Sequence, residues 1–361
     1  MKIGIFGGTF NPVHKGHMKL AQYAIEELKL DKLLLVPNHI SPYKLKQKTI
    51  SGKDKLNMLS LVLEDKMEVC DFEIKRKNIS YTIDTIKYLK NKYKNDELFF
   101  LLGSDNLPKL HKWEGIDEIA SSVKIAVFKR EKAINKKNIK KFNCLLLDNN
   151  LFYESSTKYR KGNLEEVDPR VAKYIAQNYL YLDQLIFQVQ SARLSKHSVF
   201  TAQMAAELAR NLKLNPKDAY YAGLMHDFAK EWSEEKSREY IKKYDPSAEL
   251  EFHELHEYCA YLWLKHEYHL DNDDILHAVR IHTNLDDRSK QKISLFDKVI
   301  FVSDKICQGR KFAGVQKLRK IVFENFEEGF KEVIKHVIKF NEDKGVVFSD
   351  RQIKIYEGLL K

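Results

Sequence analysis

Apolar and polar positions change rhythm midway along the chain. In the first part, short apolar runs read as buried strands: Lys2 to Phe6, Lys32 to Pro37, Glu68 to Ile74, Glu97 to Leu102, Val123 to Phe128 and Phe142 to Leu147. Between them, helical spacing covers about Lys15 to Lys29, Lys53 to Asp65 and Thr82 to Tyr93. Strand and helix in alternation predict an α/β doubly wound parallel sheet, whose ligands gather at the carboxyl ends of the strands. A helix from Asp168 to Gln177, with Pro169 at its first position, closes this part. From Gln184 onward the strand signal fades. Ala202 to Leu212 and Ala219 to Met225 are apolar at a period of 3.6, and the tail from Ile321 is amphipathic, which predicts a second, all-α domain. Asn178 to Asp183 holds no Gly or Ser linker, so the expected domains, 1–180 and 181–361, are joined by a short tight connection.

The 361 residues suit two or three domains, each with its own core. A net charge of +11 is compatible with nucleic acid, anionic membranes or phosphorylated small molecules. The excess is mostly Lys, scattered along the chain rather than gathered in a stripe, so nucleic acid is not the expected partner. Four cysteines lie far apart with no C-x-x-C, which argues against a zinc knuckle or a disulfide framework and fits a reducing cytoplasm. The start lacks a basic-then-apolar leader and no run of 18 apolar residues occurs, so neither secretion nor a membrane span is expected.

The first strand ends at Gly7 and Gly8 and feeds a helix through GGTFNPVHKGH. Such a turn lets backbone approach a ligand, and the helix start offers free N–H groups that suit a phosphate. The spacing is neither G-x-G-x-x-G nor G-x-x-x-x-G-K-[ST]; a histidine pair, His14 and His17, stands in their place as potential hydrogen-bond donors. At Gly7, Gly8, Thr9, Phe10, His14 and His17 the chain resembles the nucleotidylyltransferase superfamily, and within it the nicotinate-mononucleotide adenylyltransferases.

Four later loops carry that resemblance further. In ISPYK it puts Lys44 at the phosphates, where a lysine acts as a mobile point charge; Tyr43 stands where the family often has His. SYTIDTI resembles the substrate-facing segment, through Thr82 and Thr85. In LLGSDNLPKLHKWEG, a strand ends at Gly103 and is followed by Asp105 and Trp113, which the resemblance sets along the adenine and nicotinate side of a cleft; an indole is suited to stacking on a pyridine ring. ESSTKYRKG resembles S-S-T-x-[IV]-R, with Tyr159 in place of the β-branched residue. Ser155, Ser156 and Thr157 open a helix, and Arg160, one turn in, can fork onto phosphate oxygens. The implied reaction joins the phosphate of nicotinate mononucleotide to the α-phosphorus of ATP, with Mg²⁺ on the triphosphate, and His14, His17, Lys44 and Arg160 as donors. No carboxylate in this half stands out as a general base.

Nine of the 13 histidines fall in the second half, the others being His14, His17, His39 and His111. Such clustering suggests metal, although a helix histidine is more often surface or satisfied core. His197 in RLSKHS, His226 and Asp227 in AGLMHDFAK, His256 in HELHEYCAYL, His282 in AVRIHTN and Asp304 in VSDKICQGR run in the order H, HD, H, H, D. That order resembles the HD-domain metal phosphohydrolases. Imidazoles and carboxylates brought inward by helices suit one or two transition metals, iron, manganese or zinc, without choosing among them, and an aspartate can bridge two ions; the resemblance puts iron first. HDFAK, the IHT turn and SDKICQGRKFAGVQKLR further resemble the branch that hydrolyses diadenosine tetraphosphate symmetrically, which implies Arg193, Lys230 and Arg310 as the cations on the polyphosphate. Asn284 and Leu285 depart from that branch's pattern. His253, His266, His269 and His277 lie outside the ligand pattern and are expected at the surface.

Three readings follow. One is a bifunctional enzyme, with ATP, nicotinate mononucleotide and diadenosine tetraphosphate as small-molecule partners and self-association left open. Another has one half binding nucleotide only to regulate the other. A third directs the helical half at a different phosphorylated nucleotide or at nucleic-acid ends.

Overall fold

A computed structural model gives the fold and describes residues 1–42, 49–132, 134, 136–287 and 292–361. The chain divides into two compact units, Met1–Tyr174 and Ile175–Lys361.

The first unit is built from β1 (Lys2–Gly8), α1 (Lys15–Glu27), β2 (Lys32–Pro37), α2 (Gly52–Ser60), β3 (Met67–Val69), α3 (Phe72–Arg76), α4 (Thr82–Lys92), β4 (Glu97–Gly103), α5 (Ile116–Ser122), β5 (Lys124–Phe128), α6 (Lys137–Lys141), β6 (Leu145–Leu146), α7 (Ser156–Arg160) and α8 (Pro169–Gln177), the last continuing past Tyr174. The strands form one parallel sheet in the order β3-β2-β1-β4-β5-β6. Strand alternation explains its two-sided burial. Ile3 and Ile5 join Leu34, Val36, Leu98, Phe100, Ile125 and Val127 in one apolar layer, closed by Ile83, Ile86 and Leu89 of α4 and Ile119 of α5. Gly4 faces the other way, where an added Cβ would come within 2.6 Å of Leu30 and Leu33 side chains. The order reverses direction between β1 and β4, so their carboxyl ends, Gly8 and Gly103, flank the crevice left where crossovers depart to opposite sides.

Two expected strands shrink. Of the run Glu68 to Ile74 only Glu68 and Val69 belong to a strand, β3, while Phe72 to Ile74 fall in helix α3, with the Phe72 ring stacked on Tyr88 of α4 at 4.1 Å between centroids. A short apolar run cannot by itself distinguish strand from buried helix, and here the contact with α4 decides. Likewise Phe142 ends α6, leaving Leu145–Leu146 as the edge strand.

The second unit is helical: α9 (Leu182–Val189), α10 (Ala192–Asn211), α11 (Pro216–Met225), α12 (Glu234–Tyr244), α13 (Leu255–Leu262), α14 (Asp273–Ile281), α15 (Leu295–Ile306), α16 (Val315–Glu324), α17 (Phe326–Glu342) and α18 (Asp350–Leu360). Caps are written into the sequence. Ser191, Asn215, Asn272 and Ser294 each accept a hydrogen bond from a backbone N–H of the helix that follows. Among the described residues no helix is long and apolar enough to cross a membrane, and all four cysteines are free thiols.

α10 and α11 cross closely because Gly223 has no side chain: a Cβ there would lie 2.9 Å from Ala202 Cα. The obstacle is backbone, so nothing yields cheaply. Gly223→Val should cost about 1–3 kcal/mol of unfolding free energy, the usual penalty of overpacking, read from urea denaturation; an unchanged midpoint would contradict this account of the crossing.

Candidate functional site

At the carboxyl ends of β1 and β4 opens a cleft of about 630 Å³, lined by Gly7, Gly8, Thr9, Phe10, His14, His17, Thr82, Thr85, Gly103, Asp105, Trp113, Ser155, Ser156, Thr157 and Arg160. All the residues expected from sequence for this half thus converge, except Lys44, which lies outside the described residues. Closure comes through long-range bonds. Ser156 Oγ donates to the Pro12 carbonyl at 2.8 Å, Arg160 Nη1 donates to the Asn11 carbonyl, and Lys19 pairs with Glu154 at 2.5 Å. Ser155 caps α7 by accepting from Lys158 N–H at 3.1 Å. The Arg160 guanidinium is therefore held against the very turn that carries the histidines.

His14 and His17 are buried, with ring centroids 3.6 Å apart. His14 backbone N–H donates to His17 Nδ1 at 3.2 Å, so neutral His17 carries its hydrogen on Nε2. Burial, assisted by the nearby Arg130 guanidinium, pushes His14 down to about 3, and burial with His14 and Arg130 holds His17 well below the usual imidazole range. Both rings are therefore held neutral, and positive charge at the cleft is carried by Arg130 and Arg160 with Lys109 and Lys112.

Arg130 was not anticipated. It follows β5, its guanidinium lies 3.6 Å from Asp105, and its methylenes lie across Gly103, where a Cβ would come within 2.4 Å of Cδ. The signal was available, since a basic residue just past a parallel strand faces the same crevice. Glu73 is the carboxylate that sequence reasoning passed over: it lines the cleft, accepts from Thr85 Oγ1 at 2.5 Å, and is pushed up by burial. Buried Lys55 donates to the Asn38 carbonyl at 2.9 Å, anchoring the loop after β2 that also borders the cleft.

The second unit holds a different cluster. Asp227 Oδ2 lies 3.4 Å from His226 Nε2 and 3.8 Å from His197 Nε2, while Oδ1 lies 3.3 Å from His256 Nε2 and 3.4 Å from His282 Nε2. Asp304 Oδ1 sits 3.0 Å from His197 Nε2 and 3.6 Å from His226 Nε2. Two triads, His197–His226–Asp304 and His226–Asp227–His282, each place one ligand atom per residue within 4.8 Å of one another. Helix ends supply them: His226 and His282 follow α11 and α14, and their Nδ1 atoms lie 2.6 and 2.8 Å from the Gly223 and Val279 carbonyls. Those carbonyls can only accept, so Nδ1 carries a hydrogen in both rings; burial pushes His282 down to about 3, so its Nε2 presents a lone pair to Asp227, whereas at His226 burial is outweighed by the Asp227 and Asp304 carboxylates, which push the ring up to about 10.

Lone pairs facing anions repel unless a proton or a metal lies between them. His226 Nε2 and Asp227 Oδ1 are buried without a hydrogen-bond partner, as expected of atoms whose partner is a cation. The donor set, imidazole nitrogen with carboxylate oxygen and outward Nδ1–H bonds, fits a divalent transition metal. Around it, Lys230 donates to His256 Nε2 at 2.9 Å, and Arg310 and Lys305 reach Asp304 at 2.7 and 2.6 Å. Arg193, Lys230 and Arg310 line an adjoining cavity of about 890 Å³ together with His197, Asp227 and Asp304. Glu257, unforeseen from sequence, is fully buried behind His282, 3.7 Å from Nδ1, and burial pushes it up to about 8.

His253, His266 and His269 are exposed, but His277 is not the surface residue expected. Its Nδ1 lies 2.9 Å from Asp297 and its Nε2 3.4 Å from Asp287, so it ties α14 to α15 and to the segment between them. Its partners come from elsewhere in the fold, which periodicity along α14 does not reveal.

Two family models match the chain: Cytidylyltransferase-like over residues 5–162 and HD domain over residues 194–309. A curated Mycoplasma pneumoniae protein, "Probable nicotinate-nucleotide adenylyltransferase/Ap4A hydrolase", is 31% identical over 306 residues, covering 84% of this chain and 87% of that one. Its Mycoplasma genitalium namesake is 29% identical over 358 residues, 95% of this chain and 99% of that one. "Probable nicotinate-nucleotide adenylyltransferase" of Aquifex aeolicus is 47% identical over 134 residues, 37% of this chain and 79% of that one.

The depressed His14 gives a pH test. The folded ring sits at about 3 against an ordinary 6.5, so as pH falls the unfolded chain binds the proton first and the first unit should lose stability progressively from about pH 6.5 downward. His14→Gln should flatten that slope in urea unfolding followed between pH 7 and 4; identical slopes in the two proteins would show that the ring is not held neutral by its surroundings.

Proposed function

Since the chain belongs to the family of fused nicotinate-nucleotide adenylyltransferase/Ap4A hydrolases, we propose that residues 1–180 transfer the adenylyl group of ATP to nicotinate mononucleotide, and that residues 181–361 hydrolyse diadenosine tetraphosphate to two ADP. The observation that carries this reading is the convergence of two motif sets, each scattered along the sequence, into two cavities of different chemistry.

In the first cavity the mononucleotide phosphate oxygen bonds to the α-phosphorus of ATP as the bond to pyrophosphate breaks, so the protein need only align two anions and offset developing charge. ATP enters as its Mg²⁺ complex. The turn Gly7 to Phe10 and the start of α7 at Ser155, Ser156 and Thr157 hold the triphosphate through N–H and hydroxyl donors. His14 and His17 donate from neutral rings, and Arg160, Arg130 and Lys44 supply charge. Thr82, Thr85, Gly103, Asp105 and Trp113 hold the nucleosides, the indole offering a face to the pyridine ring.

In the second cavity His197, His226, Asp227, His256, His282 and Asp304 would hold one or two divalent ions, iron in preference to manganese or zinc. Bound there, such an ion lowers the pKa of water and polarises a phosphoryl oxygen. Asp227, with one oxygen toward His226 and the other toward His256 and His282, would contribute to holding such an ion through either oxygen. Arg193, Lys230 and Arg310 bind and orient the polyphosphate.

Purified protein should form nicotinate adenine dinucleotide from ATP and nicotinate mononucleotide, and ADP alone from diadenosine tetraphosphate with Mn²⁺ or Fe²⁺. His17→Ala should lower only the first kcat, by roughly 10²–10³, the cost of one lost donor to developing charge. Asp304→Ala should abolish only the second. Loss of both activities from either single substitution would contradict two independent sites.

A further inference from the structure

The wall that α10 presents to the second cavity follows a pattern the phosphate chemistry does not use up. Arg193, Lys196, His197 and Phe200 are spaced by three, one and three residues, which puts them in one stripe of the helix, and all four line the cavity. Read along the helix, the stripe is cation, cation, metal-type ligand, aromatic ring.

Phe200 is out of place among such neighbours. Apart from the His197 imidazole, its ring is the only aromatic one among the described residues lining a cavity whose other side chains are mostly Lys, Arg, Asp and Glu. It is half-buried, its edge against Gly309, where a Cβ would come within 3.1 Å of Phe200 Cδ2, and Lys196 Nζ lies 5.7 Å from its centroid. The absence of a side chain at 309 is what gives the ring its place on the wall. Inorganic polyphosphate has no use for a hydrocarbon face, whereas a purine has a flat π-face and stacks on aromatic rings regardless of sequence.

Resting on the hydrolase reading above, we propose that Phe200 is the stacking platform for one adenine of the dinucleotide and that it fixes which phosphorus is presented to the His and Asp cluster. The ring and His197 are one helical turn apart on the same stripe. A base seated on Phe200 leaves a set span for phosphates between it and the cluster, and a span of two phosphates makes the cut symmetrical. Water oxygen then bonds to that phosphorus and the bridging P–O bond to the other half breaks. The departing ADP keeps the bridging oxygen, and the hydrogens of the water end on the two products or in solvent. Lys196, over the ring, closes on the base or its phosphate from the solvent side.

The test is calorimetric binding of ADP and, separately, of inorganic pyrophosphate to the full-length protein loaded with Mn²⁺. Phe200→Ala and Phe200→Leu should weaken ADP about tenfold, as loss of one stacked base does, and leave pyrophosphate unchanged; Phe200→Tyr, which keeps the flat face, should bind ADP as the wild type does. With diadenosine tetraphosphate, the Ala and Leu variants should release ATP and AMP beside ADP. The proposal is overturned if ADP and pyrophosphate weaken together, if neither changes, or if Leu serves as well as Tyr. A wild-type protein that discriminates ADP from pyrophosphate through Phe200 yet leaves diadenosine tetraphosphate intact would uphold the platform and overturn the hydrolase reading instead.

Discussion

Unshared electron pairs buried against one another are the constraint on which the helical unit turns. Four imidazole Nε2 atoms face two carboxylates within 3.0–3.8 Å, and backbone carbonyls fix the hydrogen of His226 and His282 on the far side of the ring. Taking ionised groups out of water costs several kcal/mol each unless a counter-charge repays it. Lys305 and Arg310 repay part of that for Asp304, from outside the cluster. Lys230 stands 3.6 Å from Asp227 Oδ1, and a proton or a metal ion among the imidazoles would supply the rest. Close crossing of α10 and α11 at Gly223, the caps that start the helices and the polar tie of His277 to α15 all serve to hold those atoms at that separation.

The α/β unit solves the opposite problem with the same side chain. Its histidine pair is packed between aromatic rings, Phe10 at 4.8 Å from His17 and Phe6 at 6.2 Å, and close to an arginine, so the rings stay neutral and keep N–H groups available. Positive charge is left to the Arg130 and Arg160 guanidinium groups and to Lys109 and Lys112 of the cleft lining. That division suits polyanion chemistry: neutral donors do not have to be desolvated as ions, and Arg130 and Arg160 arrive from separate parts of the chain to line one crevice. The parallel sheet makes the crevice, because crossovers leaving β1 and β4 diverge.

Much of this was legible in the sequence, for reasons that differ by residue. Gly7, Gly8, His14 and His17 stand in one local run, a glycine turn feeding a helix, that suits a phosphate and carries the family resemblance, and Arg160 belongs to a motif recognisable at a distance. The H, HD, H, H, D order predicted a cluster that no single histidine could. What was missed shares a physical cause. Arg130 and Glu73 act alone, with no companion at fixed spacing, and matter only because β5 and α3 end beside the cleft. His277 was misplaced at the surface because burial of a polar group depends on partners such as Asp297, on another helix. The run Glu68 to Ile74 was read as a strand throughout because a few apolar residues carry no period long enough to exclude a helix.

The demand for a cation inside the helical unit is the claim most open to direct measurement. Elemental analysis of the full-length protein after dialysis against trace Mn²⁺ or Fe²⁺, with Asp227→Asn run in parallel, should find one or two divalent ions per chain in the wild type and a deficit in the variant, both proteins remaining folded by circular dichroism. A wild-type protein that binds no stoichiometric metal and whose thermal stability is indifferent to chelator would contradict the account.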